Sequence, residues 1–284
     1  PLELEATVRT AFDIARSGRP GPVVVDVPKD MQNYTGPFLG EGRLDRRGYD
    51  KRIAALHEAR LSSAESEAFF RLLNKSHRPL IYAGGGVIGS NATKELRAFA
   101  ERFRIPVVTT LMGIGAIDTT HELCLRMLGM HGTAYANYAV EDCDFLIAVG
   151  ARFDDRVAGK VSEFAPHAKI AHVDIDAAEI GKVKQPDWAH VGDAKMALQD
   201  LMDAGKGFRR DFGPWVRHTV KMKKDHPLDY NRDNSLIQPE FVIETLNEMT
   251  RGNAIVCTGV GQHQMWAAQY FDFHRPRTFI ASAS

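Results

Sequence analysis

The stretch Met127 to Lys160, MLGMHGTAYANYAVEDCDFLIAVGARFDDRVAGK, carries a helix, a buried strand and a charged loop in that order. Small residues dominate Ala134 to Val140, a helical patch that Asp142 to Asp144 break. Phe145 to Val149 is an apolar run of strand length that stops at Gly150. Beyond it stand Arg152, Asp154, Asp155 and Arg156, four charges in five positions. In an open α/β sheet, ligands bind outside the carboxyl ends of the strands, so charges crowded there are candidate ligand contacts. A solvated loop of local ion pairs satisfies the same spacing.

The same unit recurs on both sides. Ser62 and Glu65 form a capping-box pattern that opens a helix with Ala64, Ala68, Phe69, Leu72 and Leu73 inward. Leu80 to Ala83 reads as a strand, Gly84 to Gly86 as a turn, and Asn91 to Phe103 as a helix. Pro106 to Thr110 is the next strand, and Lys169 to Ile175 a later one, followed by Asp176. Strands alternating with helices at these lengths require crossovers, hence an α/β fold: a doubly wound, mostly parallel, Rossmann-like sheet. Glycines after strands let backbone amides approach a phosphate. Gly84 to Gly89, GGGVIG, does not complete a dinucleotide fingerprint, however. Asp174 or Asp176 could accept from ribose hydroxyls, while Asp176 with Glu179 equally forms a helix cap. Gly192-Asp193 lacks the following glycine of a metal-diphosphate motif, and Asp193 reads as a cap.

The flanks are plainer. Leu4 to Arg16 is an amphipathic helix with Val8, Ala11, Phe12 and Ala15 on one face, and Val23 to Val27 reads as a strand buried on both faces. Arg19 and Lys29 beside it are, taken alone, ordinary surface cations. Tyr34 to Arg60 and Asp203 to Ile237 read as linkers, the second with a helix around Trp215 to Lys224. Pro239 starts another helix with Phe241, Val242, Thr245 and Leu246 buried. Ala254 to Thr258 is then a strand, Gly259-Val260-Gly261 a turn, and His263 to Tyr270 a helix.

Length and composition bound the rest. With 284 residues the chain exceeds one typical domain, and 36 acidic against 36 basic residues give no field for nucleic acid or an anionic membrane. Cys124, Cys143 and Cys257 have no metal-like spacing and favour a reducing compartment. No apolar run approaches the roughly 20 residues of a bilayer span. A start at Pro1, without initiator Met, leads to the expectation that the chain is a piece of something longer.

Six segments carry a resemblance: SGRPGPVVVDVPKD (Ser17 to Asp30), TLMGIGAID (Thr110 to Asp118), MLGMHGTAYANYAV (Met127 to Val140), GARFDDRVAGK (Gly150 to Lys160), HVDIDAAEIGK (His172 to Lys182) and VGQHQMWAAQYF (Val260 to Phe271). In this order they resemble the large catalytic subunit of the acetolactate (acetohydroxyacid) synthase family, thiamine-diphosphate enzymes with three α/β domains. The resemblance implies residues 1-33 as the end of a pyrimidine-binding domain, 34-61 as linker, 62-203 as a central FAD-binding domain, 204-237 as linker and 238-284 as the start of a diphosphate-binding domain. It implies decarboxylation of pyruvate and transfer of the two-carbon unit to pyruvate or 2-ketobutyrate, the first common step toward valine, leucine and isoleucine. Thiamine diphosphate, FAD and Mg2+ are the implied cofactors, FAD being largely structural because the reaction has no net redox change.

Residue by residue, the resemblance implies that Arg19, His131, Gly132, Thr133, Asn137, Gly150, Ala151, Arg152, Asp174, Ile175, Asp176, Gly192 and Asp193 line the FAD site. Lys29, Met130, Asp155 and Arg156 match the mouth of the substrate channel, where an arginine would grip a 2-keto carboxylate bidentately. Val260, Gly261, Gln262 and His263 match the turn that meets thiamine diphosphate. The family's catalytic glutamate is expected upstream of Pro1 and its magnesium ligands beyond Ser284, so the isolated chain is expected to be inactive. Acetolactate formation by it would overturn that expectation. A homodimer is expected, with a small regulatory subunit as a further candidate partner, in the bacterial cytoplasm or, for a eukaryotic source, in a plastid or mitochondrion. The alternatives are a sibling enzyme such as glyoxylate carboligase or pyruvate oxidase, and an NAD- or FAD-binding module without thiamine chemistry.

Overall fold

A computed structural model of the protein describes residues 2–37, 42–233 and 235–282, without the side chains of Asp155 and Arg156. The chain folds as two units, Pro1–Ala59 and Arg60–Ser284. The first unit carries helices α1 (Leu4–Arg16), α2 (Lys29–Gln32) and α3 (Tyr49–Glu58), the last within the stretch expected to be linker. Val23 to Val27 is not a strand, and Val24 is 90% exposed. A β-branched run becomes a buried strand only when neighbours take up its N–H and C=O groups, and no described segment pairs with this one. Helix α1 forms as expected, yet Val8 and Phe12 on its apolar face remain exposed.

The second unit is built on six strands: β1 (Pro79–Ala83), β2 (Val107–Thr109), β3 (Cys124–Met127), β4 (Phe145–Val149), β5 (Lys169–Asp174) and β6 (Trp188–Val191). All pair in parallel, in the order β3-β2-β1-β4-β5-β6. The α/β expectation therefore holds. β3 and β6 were not anticipated, because Arg126 and His190 interrupt runs of only four residues.

Side chains alternate across the sheet with period two. Ile81, Ala83, Ile147 and Val149 pack on one face against α4 (Ser63–Lys75), α5 (Gly85–Gly89), α6 (Thr93–Phe103) and, further along, α9 (Ala194–Ala204). Leu80, Tyr82, Leu146 and Ala148 pack on the other against α7 (Ala134–Asp142) and α8 (Asp155–Ala158). Helix α10 (Gly213–Asp225), inside the second expected linker, buries Trp215 and Met222 with that second face, and Trp215 Nε1 donates to the Pro79 carbonyl at 2.9 Å. Several helix starts are fixed by side chains legible in the sequence. Ser62 Oγ and the Glu65 carboxylate form the reciprocal capping box of α4, and Asp193 accepts from Lys195 N at the start of α9. Gly84 to Gly86, expected as a turn, instead opens the short helix Gly85–Gly89.

Helix α11 (Pro239–Thr250), β7 (Val256–Thr258), α12 (Gln262–Tyr270) and β8 (Phe279–Ala281) follow, with β7 and β8 paired in parallel. The expected buried side of α11 is instead exposed: Phe241, Val242 and Leu246 are 52%, 44% and 47% accessible. Its apolar positions cover more than one face, and the face carrying Ile243 packs against the cluster of Ile114, Met127, Ala268, Phe271 and Phe273.

Candidate functional site

Strand order reverses between β1 and β4, where one crossover leaves toward β2 and the other toward β5. At such a switch point the loops part and leave a crevice at the carboxyl edge, which is where doubly wound sheets of this order hold dinucleotides. The groups at this edge are Gly84 to Gly86 after β1 and Gly150 to Arg152 after β4. The two turns touch through their backbones: Gly84 N donates to Val149 O at 3.0 Å and Gly86 N to Gly150 O at 2.9 Å. A Cβ on Gly84 would lie 2.1 Å from Gly150 O, and one on Gly150, whose φ is +54°, would lie 2.6 Å from Gly86 Cα. Only glycine allows this approach.

The predicted residues divide by what their side chains do. Gly150, Ala151 and Arg152 sit at the switch point, and the Arg152 side chain is exposed with no ion-pair partner among the described residues. Asp174, Ile175 and Asp176 leave the neighbouring strand: Val149 pairs with Val173, and Gly150 N donates to Val173 O at 2.8 Å. Arg152 and Asp174 therefore share one edge of the sheet. Asp174 is buried and accepts from Asp176 N at 2.9 Å, while Asp176 caps the following turn through Ala178 N. Gly192 N donates to Asp174 O at 2.9 Å, which places Gly192 and Asp193 on the next loop of the same edge.

On the β3 side, Met130 is 69% exposed and His131 is exposed. Thr133 is committed locally: its hydroxyl caps α7 through Ala136 N and donates to Leu125 O at 3.0 Å. Asn137 spans the turn, accepting from Gly129 N at 2.8 Å and donating to Gly129 O at 3.0 Å. A Cβ on Gly132 would meet Met127 O at 2.4 Å, so this turn too depends on a missing side chain.

Gly261 precedes α12 as its N-cap, with Gln262 and His263 exposed in the first turn and Val260 59% exposed before it. The His263 ring folds back over Gly261, where a Cβ would lie 2.9 Å from Cε1. In the first unit Arg19 is exposed after α1, and Lys29 is the first residue of α2. The side chains of Asp155 and Arg156, predicted at the substrate channel, lie outside the described residues.

Two residues not singled out in the sequence hold the switch-point turn. Tyr82 and His172 are both fully buried. The Tyr82 hydroxyl donates to Arg152 O at 2.8 Å, and His172 Nε2 lies 3.0 Å from Ala151 O. Burial, helped by the Asp154 carboxylate, pushes the Tyr82 phenol far above its usual range, so it remains a donor. A polar side chain in an otherwise apolar strand needs a partner, and that was the legible signal. Beyond α8, Lys184 Nζ donates to Val161 O at 3.0 Å and also to Phe164 O, and burial holds its pKa below the usual lysine value.

Among the described residues no group of His, Cys, Asp or Glu could hold a metal ion, and no helix is long and apolar enough to cross a membrane.

Residues 66–201 match the family described as "Thiamine pyrophosphate enzyme, central domain". Over 285 residues the chain is 47% identical to acetolactate synthase 1, chloroplastic, of Zea mays, covering 99% of this chain and 44% of that protein. It is 46% identical over 286 residues to the acetolactate synthase large subunit of Corynebacterium glutamicum, covering 99% and 45%. With the chloroplastic acetolactate synthase of Arabidopsis thaliana the identity is 45% over 284 residues, covering 99% and 42%. The chain thus spans less than half the length of these relatives.

Proposed function

We propose that the chain serves thiamine-dependent carboligation, a reading supported by its match to the central domain of thiamine pyrophosphate enzymes and its similarity to the acetolactate synthases. The reaction is decarboxylation of pyruvate and transfer of its two-carbon unit to a second pyruvate or to 2-ketobutyrate, toward the branched-chain amino acids. The domain division read from the sequence belongs to this proposal, with α10 packed on the central sheet although it falls in a linker.

The observation that carries the proposal for the central region is the reversal of strand order between β1 and β4, lined by Gly84, Gly86 and Gly150. A flavin dinucleotide fits such an edge: its diphosphate needs backbone donors and a cation, and Arg152 is exposed beside the glycine turns. Gly132, Asp174, Asp176, Gly192 and Asp193 would contribute from adjoining loops, with Thr133 and Asn137 shaping the turn they staple. His131 completes the proposed set within this unit, and Arg19, in the first unit, is implied by the resemblance alone.

Thiamine diphosphate supplies the carbanion chemistry when bound. This chain's part is to orient and to bind. Gly261 leaves the first amides of α12 open toward an anion, with Gln262 and His263 as side-chain donors and Val260 in the preceding turn. Met130 offers an exposed apolar contact, Arg156 is proposed to grip the keto-acid carboxylate, and Asp155 and Lys29 are implied near the channel by the resemblance alone. Magnesium, a homodimer, a regulatory subunit and a cytoplasmic or organellar location belong to the same proposal.

Titration of the purified chain with FAD tests the central claim. Quenched flavin fluorescence with a bound visible spectrum is the expected result, and uptake of NAD in its place would support a plain nucleotide-binding module. Formation of 2-acetolactate from pyruvate, thiamine diphosphate and Mg2+ by a protein carrying this segment tests the activity. Its absence there, with another product from pyruvate, would point to a sibling enzyme.

A further inference from the structure

We infer that Tyr82 and His172 are positioning residues that turn the Arg152 and Phe153 amides toward the switch-point crevice. The inference rests on the dinucleotide reading above and goes past it, since neither side chain need touch a ligand. Tyr82 lies on β1 and His172 on β5, the strands flanking β4, so they reach the turn after β4 from either side. Tyr82 Oη holds the Arg152 carbonyl at 2.8 Å and His172 Nε2 holds that of Ala151 at 3.0 Å. Both residues are 0% exposed, so these carbonyls are drawn toward the core.

A trans peptide is planar, and its N–H points opposite to its C=O. Pulling the Ala151 and Arg152 carbonyls inward therefore turns the N–H groups of Arg152 and Phe153 outward. No described backbone carbonyl accepts from either amide. Two successive outward amides beside a guanidinium that has no ion-pair partner among the described residues make a donor set for an anion such as a diphosphate. The ring of His172 is committed to this task. Its contact with a carbonyl requires the proton on Nε2, and its Nδ1 is buried with no partner among the described residues. Phe153 packs edge-on to the same ring at 5.3 Å, which fixes its plane. Asp174 Oδ2 lies 3.8 Å from Nε2, so the ring also adjoins the acid that ends β5.

The test compares the 284-residue chain with Tyr82→Phe, His172→Leu and His172→Gln, reading FAD affinity by flavin fluorescence and folding by the unfolding midpoint. Losing one carbonyl anchor should weaken FAD by about tenfold in Tyr82→Phe and in His172→Leu. His172→Gln, which restores a donor near the Nε2 position, should recover most of the affinity. Recovery by glutamine, with no matching trend in the unfolding midpoints, separates positioning from general stability. Equal FAD affinity across the series would overturn the inference and leave the dinucleotide reading intact. In parallel, inorganic pyrophosphate is titrated while the amide resonances of Arg152 and Phe153 are followed. If the unaltered chain takes up no FAD but these amides shift, and the shifts vanish in Tyr82→Phe, the dinucleotide reading falls and the positioning role stands. With neither FAD uptake nor amide shifts, both are overturned.

Discussion

Gln269 Nε2 donates to the carbonyl of His131 at 2.8 Å, which ties the last turn of α12 to the loop leaving β3. The same helix begins at Gln262, so the candidate thiamine turn and the loop of Met130 and His131 are ends of one connected piece. Arg126 on β3 strengthens the joint: Nη1 donates to Gln269 O at 2.9 Å and Phe271 O at 3.0 Å, and Nη2 pairs with Asp272. These are orphan carbonyls at a helix C-terminus, where a cation is favoured.

Arg126→Met should therefore loosen α12 more than it disturbs the sheet. The arginine and aspartate side chains are only 16% and 24% exposed, so removing one leaves the other short of partners. The expected cost is about 2 to 3 kcal/mol in urea unfolding. Amide exchange should accelerate over Gln262–Tyr270 while β1 and β4 keep their protection. Uniform acceleration across both would show that the clamp supports the whole unit.

Gly150→Ala and Gly89→Ala form a contrasting pair. The first places a Cβ 2.6 Å from Gly86 Cα at a residue with φ of +54°, so backbone must move. A loss of about 3 kcal/mol or more is expected, together with loss of FAD uptake. A Cβ on Gly89 meets nothing within 4 Å, and α5 should gain about 0.5 kcal/mol from alanine. Thermal melts of the two variants settle the comparison.

Much of the fold was legible. The periodic helices, the buried runs Leu80 to Ala83 and Phe145 to Val149, and the caps Ser62, Asp176 and Asp193 lie where local pattern put them. The misses have physical causes. Val23 to Val27 has strand composition, but a strand exists only through its neighbours. β3 and β6 are short and interrupted by Arg126 and His190, so only their pairing with longer strands reveals them. In the site, the glycines after β1 and β4 could be seen, but their backbone contact could not, because it depends on which strands become adjacent. Tyr82 and His172 were passed over for the same reason: their partners are 70 and 21 residues away.

Asp144 gives a pH dependence. Burial alone would raise its pKa, yet Ser76 Oγ and the amides of His77 and Arg78 donate to the carboxylate and hold it below its usual value. A depressed carboxylate contributes stability that is present above its unfolded pKa of about 3.9 and is lost as pH falls through the lower folded value. Unfolding midpoints should therefore drop below about pH 4 more steeply in the unaltered chain than in Asp144→Asn. Parallel profiles would mean that other carboxylates govern acid unfolding.

Arg152 supplies the last prediction, because its side chain is exposed and forms no ion pair among the described residues. An exposed, unpaired arginine contributes little to folding, so Arg152→Gln should leave the unfolding midpoint unchanged within experimental error. If its guanidinium meets a diphosphate, the same variant should bind FAD about tenfold more weakly. Arg152→Lys should recover only part of the loss, since a lysine carries the charge without the planar fork. The residual affinity of the lysine variant should also fall faster with added salt, as a point charge without paired hydrogen bonds is screened more readily. Unchanged FAD affinity in Arg152→Gln would remove this residue from the site and leave the turn's backbone amides as its anion-binding part.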